Sequence, residues 1–195
     1  MSHKYELFDF HPQEGDLIGM NFDLRHPSFG FSDPLLKLES TYVKLDRLGN
    51  WGRGTIIGAL RLNAGTTWVD DKVSLSSLPP TVKFYGGGSD DIRGFTLKTL
   101  PGSDGLGALT KLGAKFELRR TYLVKESIEG FTFLDVAKFG DQSWNVDRAF
   151  FYSPGIGLRW LSPIGMVQGF FARAFQADPY RDQGNLIFLG LGGVF

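Results

Sequence analysis

The chain contains no cysteine. Disulfide staples, thiol nucleophiles and cysteine-held metals are therefore excluded. Histidine is nearly as scarce: His3, His11 and His26 all lie near the start, with no pair at metal-ligand spacing on a recognisable element. No metal or other cofactor is expected. Neither sign of charge is in excess, since 21 Lys and Arg balance 21 Asp and Glu, so nothing favours nucleic acid as a partner. No run of about 18 apolar residues occurs, which excludes a membrane-spanning helix. Met1-Ser2-His3-Lys4 leads into acidic and aromatic residues rather than an apolar stretch, so no secretory signal is visible. There is no nucleophile elbow and no paired-acid constellation, and no enzymatic activity is expected.

What the sequence does have is glycine and phenylalanine. The 26 glycines among 195 residues are nearly twice the usual share of about 7 %, and 18 Phe dominate the aromatics. Helical period is hard to find, while period-two alternation recurs. In "GDLIGMNFDLR" (15–25), Ile18, Met20, Phe22 and Leu24 share one face, and Gly19, Asn21, Asp23 and Arg25 the other. "PLLKLESTYVKLD" (34–46), "GTIIGALRLNAG" (54–65) and "KLGAKFELRRTYL" (111–123) repeat the scheme. Four more strands are expected in "EGFTFLDVAKF", "FYSPGIGLRWL", "MVQGFFARAF" and "NLIFLGLGGVF", with "KYELFDF" as an extra strand or an extension within residues 1–14.

The connections divide by length. "RLGNWG" and "SPIG" read as tight turns and "VKESIE" as a medium link. "HPSFGFSDP", the segment 68–108, "GDQSWNVDR" and "QADPYRDQG" read as longer loops on the opposite side. Alternating short turns and long loops are the pattern of a membrane β-barrel, and an even strand count leaves both termini on the short-turn side. The alternation alone fits a soluble sandwich or carrier barrel equally well, with the apolar face inward. Strands of about ten residues or more suit a tilted membrane span better than the usual length of about 5–6 in soluble sheets. Charged positions on successive strands could also pair across a lumen. The expected fold is all-β: an antiparallel transmembrane barrel domain over residues 1–195, with about eight strands per chain.

The second half carries motifs as well as a pattern. "LPPTVKFYGGGSDDIRGF" is followed by "KFELRR", "FTFLDVA", "GIGLRWLSPIG" and a terminal Phe195. Taken in this order, the series resembles the BamA/TamA superfamily of outer-membrane assembly and secretion barrels. The first 70 residues fit as strands of such a barrel but carry no diagnostic motif. There are departures: Ala137 replaces a glycine usual in the family, Met166 a proline, and Phe170 stands where an acidic residue is often found.

The resemblance implies that the loop bearing Arg93, Gly94 and Phe95 folds into the lumen as an internal latch. Gly87 and Gly88 would let the chain turn, and Glu117 and Asp135 would accept the arginine fork. Phe195 would be the terminal insertion signal. The bland readings of the loop remain beside it. "GGGSDD" lacks the Gly-Lys-Ser/Thr ending of a phosphate loop, and Asp90-Asp91 reads as an acidic turn before a calcium site.

An eight-stranded barrel leaves an interior that side chains alone nearly fill, so a loop as long as 68–108 would not fit inside one. Either the loop stays outside, or the lumen is widened by strands from elsewhere, of which a homodimer is one form. The implied function is non-enzymatic insertion or translocation of client outer-membrane or secreted proteins, in the outer membrane of a bacterium or organelle and in contact with its lipid. The alternative is a small structural or lipid-interacting barrel that kept the motifs without the activity. Gly190, Gly192 and Gly193 in the last strand fit either a weakened seam or simple curvature.

Overall fold

In a computed structural model, the chain is described over residues 13–26, 28, 34–70, 73–102, 105–125, 127–162, 165–177 and 180–191. Among the described residues, eight antiparallel strands follow one another in a single sheet. They are β1 (Gly15–Arg25), β2 (Leu35–Trp51), β3 (Gly54–Val69), β4 (Thr110–Arg120), β5 (Ile128–Gly140), β6 (Phe150–Ser162), β7 (Gly165–Ala177) and β8 (Tyr180–Leu191). Each strand pairs with its sequence neighbour. Among the described residues β1 pairs only with β2 and β8 only with β7, so the sheet stands open at both edges. "KYELFDF", Gly192, Gly193 and Phe195 lie outside the described residues.

Two connections expected from the sequence are strand instead. "RLGNWG" is the end of a long hairpin, in which β2 and β3 stay paired out to Trp51 and Gly54. A bulge between Arg47 and Gly49 lets Leu48 swing out over Gly58, and Gly52 takes the left-handed conformation of the turn (φ 64°). "QADPYRDQG" likewise belongs mostly to β7 and β8, and a bulge between Ala174 and Phe175 takes up the irregularity. The long connection runs from 70 to 109, slightly later than the expected 68–108, because pairing of Thr66 with Thr110 closes its base.

The sheet is inside out relative to a soluble protein. Its exposed face carries Ile18, Met20, Phe22 and Leu24 on β1, Phe116 and Leu118 on β4, and Ile187, Leu189 and Leu191 on β8. Phe22 is 79 % exposed and Ile187 81 %, while the opposite face buries Arg93, Glu117, Asp135 and Arg159 to 4 % or less. A contiguous apolar surface of this extent marks contact with lipid or protein rather than water. Its height fits a bilayer. At about 3.4 Å per residue, the stretch from Asp16 to His26 is about 34 Å long; a tilt of about 40° reduces this to about 26 Å, close to the roughly 25 Å band of an outer-membrane barrel. Asp16, opposite Lys44 and its partner Asp46 (2.9 Å), ends the band on the turn side. Exposed Trp51 and Trp160 stand at that side and Trp68 at the other, where interfacial aromatics belong.

Segment 70–109 lies against the polar face rather than away from it. Its base is held by Leu78, Val82 and Leu109 packing on Leu35 and Val69, and by Thr67 donating to the Val82 carbonyl at 2.6 Å. Its centre adds Ile92, Phe95, Leu100 and Ala108 to a core with Ala137, Phe139, Phe151 and Ala174. The departure Ala137 is thus a buried wall of the seat beneath the loop.

Candidate functional site

The loop reaches its seat through a sequence of tight turns. Phe84 bridges Ala108, and Gly86 bridges Leu100, making a narrow ribbon. Gly87 adopts φ 103° and donates its N–H to Asp91 at 3.0 Å, while Gly88 donates to the Phe95 carbonyl at 2.9 Å. Asp91 also takes both of its oxygens to Lys111 at 2.7 Å. The acidic "SDD" therefore closes the loop on itself and on β4. Gly94 (φ 100°) is the point of closest approach: a Cβ there would lie 2.3 Å from Ser153 Oγ and 3.3 Å from the methyl of Ala172. Only glycine lets the backbone lie this close to β6 and β7 in that conformation.

Between these glycines Arg93 points into the sheet. Its Nε and Nη2 donate to Asp135 Oδ2 and Oδ1, each at 2.7 Å, and its backbone N–H donates to Oδ2 at 2.9 Å. Nη1 donates to Glu117 Oε2 at 2.5 Å. One guanidinium thus joins carboxylates on β4 and β5, the two-pronged geometry that arginine supports and lysine does not. Its plane rests 3.6 Å above the Phe133 ring centroid. Phe95 packs edge-on against Phe151, 5.8 Å between centroids.

The floor under this arginine is built by cross-strand pairs of phenylalanine and glycine. Phe131 lies opposite Gly157 and Phe133 opposite Gly155. The rings lie flat across those positions, where a Cβ would come within 2.4 Å and 2.2 Å of them. This is the physical content of "GIGLRWL" beside "FTF": the two glycines leave room for two rings, and each ring carries a guanidinium. Phe131 carries Arg159, at 4.1 Å.

Sequence reasoning found Arg93, Glu117 and Asp135 but missed the rest of the network. Glu117 Oε1 accepts from Arg119 Nε at 2.7 Å and forms an ion pair with Arg159 Nη2 at 2.7 Å. Arg159 also donates to Glu129 at 3.0 Å and to Gln168 at 3.2 Å. Lys115, directly opposite Asp135 in the ladder, is buried too and donates to the Asp90 carbonyl at 3.3 Å. Arg119, Glu129, Arg159 and Gln168 all occupy inward positions of their strands, so strand parity was the available signal. Phe170, in place of the family's acidic residue, joins an aromatic stack with Phe133 and Phe188.

The loop does not cover the whole polar face. Beside it, over β1 to β3, lies a cleft of about 750 Å³ bordered by Asn21, Thr41, Arg61 and Asn63 on the sheet and by Lys98 on the loop.

An apolar exposed face, a polar buried face and a loop arginine bound to sheet carboxylates describe a membrane-embedded sheet with a loop seated on its polar side. A family model of the Omp85 superfamily domain matches residues 8–195, which takes in every described strand and the loop. It agrees with the BamA/TamA resemblance carried by "DDIRGF", "KFELRR" and "GIGLRWLSPIG". The chain belongs to the Omp85 superfamily, outer-membrane barrels of protein assembly and secretion.

Proposed function

We propose that this chain inserts or translocates client proteins at the outer membrane, and that the Arg93 loop is the latch that holds its polar face closed. The observation that carries the latch is the grip of Arg93 itself: four hydrogen bonds from one loop residue, all to two carboxylates that belong to the sheet. The arrangement suits release as well as closure. If Arg93 leaves, Glu117 keeps Arg119 and Arg159, and Asp135 has Lys115 directly across the ladder. Neither carboxylate is left without a nearby cation, so opening avoids the large cost of an isolated buried charge.

The test is reconstitution. The purified chain is placed in liposomes, a urea-unfolded outer-membrane barrel is added, and its folding is followed by heat-modifiable gel mobility. Folding faster than in empty liposomes is expected, and Arg93→Ala is expected to change that rate at least several-fold while the chain's own folded band persists. A rate equal to that of empty liposomes would sink the insertion reading and leave a structural or lipid-interacting barrel in its place.

A further inference from the structure

Among the described residues both edges of the sheet are unpaired. In hydrocarbon an unpaired backbone N–H or C=O costs several kcal/mol, so a sheet cannot remain open there. The chain's own β1 and β8 are not suited to close on each other. Eight strands closed into a tube leave an interior that side chains fill, and here that space already holds Ile92, Arg93, Phe95 and Leu100 with the rings of Phe139 and Phe151. Closing the tube would expel the loop from the seat that buries it.

We propose that two copies of this sheet join edge to edge, β1 of each against β8 of the other, into one continuous barrel. The proposal rests on the membrane reading of the exposed face, but not on insertion activity. Direction supports this pairing. β1 and β8 run oppositely within a chain, so two copies with their loops on the same side of the membrane present β1 and β8 to each other antiparallel. A β1–β1 seam in that orientation would be parallel. The β1–β8 contact is head-to-tail, and a twofold axis along the barrel closes it after two copies, leaving no edge. Twice eight strands reach the size at which a barrel encloses a lumen, with room for a loop from each copy.

Side-chain parity narrows the register. On β1 the outward residues are the even-numbered Ile18, Met20, Phe22 and Leu24; on β8 they are the odd-numbered Ile187, Leu189 and Leu191. Only registers that set an even β1 residue opposite an odd β8 residue keep both apolar rows in lipid. A slip by one residue would turn Ile187, Leu189 and Leu191 into the interior and Phe188 and Gly190 out. The seam is therefore specified to within steps of two residues.

The absence of cysteine gives a clean background for the test. Two differently tagged chains, one with Met20→Cys and the other with Ile187→Cys, Leu189→Cys or Leu191→Cys, are folded together in detergent and oxidised. The mass of the uncross-linked protein is read by native mass spectrometry. The expected results are twice the mass of the 21.7 kDa chain and a disulfide between the two tags with at least one of the three odd positions. A Gly190→Cys control should remain uncross-linked. A monomeric mass overturns the proposal. So does a disulfide formed within one chain that carries both cysteines, or preferential cross-linking at Gly190. A protein that stays monomeric and soluble without detergent would overturn the membrane reading as well; a detergent-dependent monomer would overturn only the pairing.

Discussion

Over β4 to β7 the polar face is sealed beneath the loop, whereas over β1 to β3 it borders an open cleft of about 750 Å³. The residue types are similar, but their partners are not. In the sealed part Arg93, Arg119 and Arg159 meet Glu117, Glu129 and Asp135 with almost no exposure. In the open part Thr41 and Asn63 hydrogen-bond across the ladder at 3.0 Å, half-exposed, and Asn21 faces solvent. Buried charge needs complete pairing, because nothing else replaces water. Polar groups along a wet cleft do not, because water remains. The difference says where the loop is held and where the polar face stays open.

The largest effect that should break this comparison is at Glu117. Glu117→Gln keeps the shape but removes the charge shared by three guanidinium groups, leaving Arg93, Arg119 and Arg159 crowded around a neutral amide. Breaking a buried ionic cluster from one side typically costs about 3–5 kcal/mol. A large drop in the urea midpoint of the detergent-folded protein is expected, at a comparable slope. A change below about 1 kcal/mol would mean that water reaches the cluster and that the sealed region resembles the open one.

A middle-sized effect is expected at Gly94, where two causes can be separated. Gly94→Ala forces an alanine to φ 100° and drives its methyl onto Ser153 Oγ. Non-glycine residues held in such conformations cost about 1–3 kcal/mol. The loop should loosen, so limited proteolysis within 70–109 should accelerate while the strands stay resistant. Combining it with Ser153→Gly removes the collision but not the backbone strain. The double variant should therefore recover only part of the protection. Full recovery would show that strain at Gly94 contributes nothing, and no recovery that the contact with Ser153 does not matter.

Much of this fold was legible because a half-buried strand writes its two faces in alternate letters. Residues 15–25 gave β1 with its true bounds, and the even and odd sets of β4 separated exposed apolar from buried charged positions correctly. Alternation could not say how far pairing continues past a bulge. Leu48 and Gly49 break the period, as do Gly184 and its neighbours, so the β2–β3 and β7–β8 hairpins read as turns and loops. Arg93, Glu117 and Asp135 were legible as a set only through motif resemblance, since no local rule relates residues that far apart in sequence. Arg159 and Glu129 could have been found from parity, as charges on the inward side of "GIGLRWL" and "EGFTF". That β1 and β8 do not pair among the described residues was not legible, because pairing between first and last strands leaves no local trace.

The smallest expected effect sharpens the comparison from its other side. Thr41 donates to Asn63 from an inward position of β2, as Lys115 and Glu117 point inward from β4, but with the cleft above it. Thr41→Ala removes one neutral hydrogen bond whose acceptor water can take over, so the cost should be at most about 1 kcal/mol. Protection of the loop from proteolysis should not change, since the hydrogen bond of Thr41 goes to Asn63 on β3 rather than to the loop. If Thr41→Ala instead loosened 70–109 as Gly94→Ala does, the cleft would be coupled to the loop, and the polar face would have to be treated as one cooperative surface. If both effects stay small, the seal over β4 to β7 is a separate unit that can open without unfolding β1 to β3.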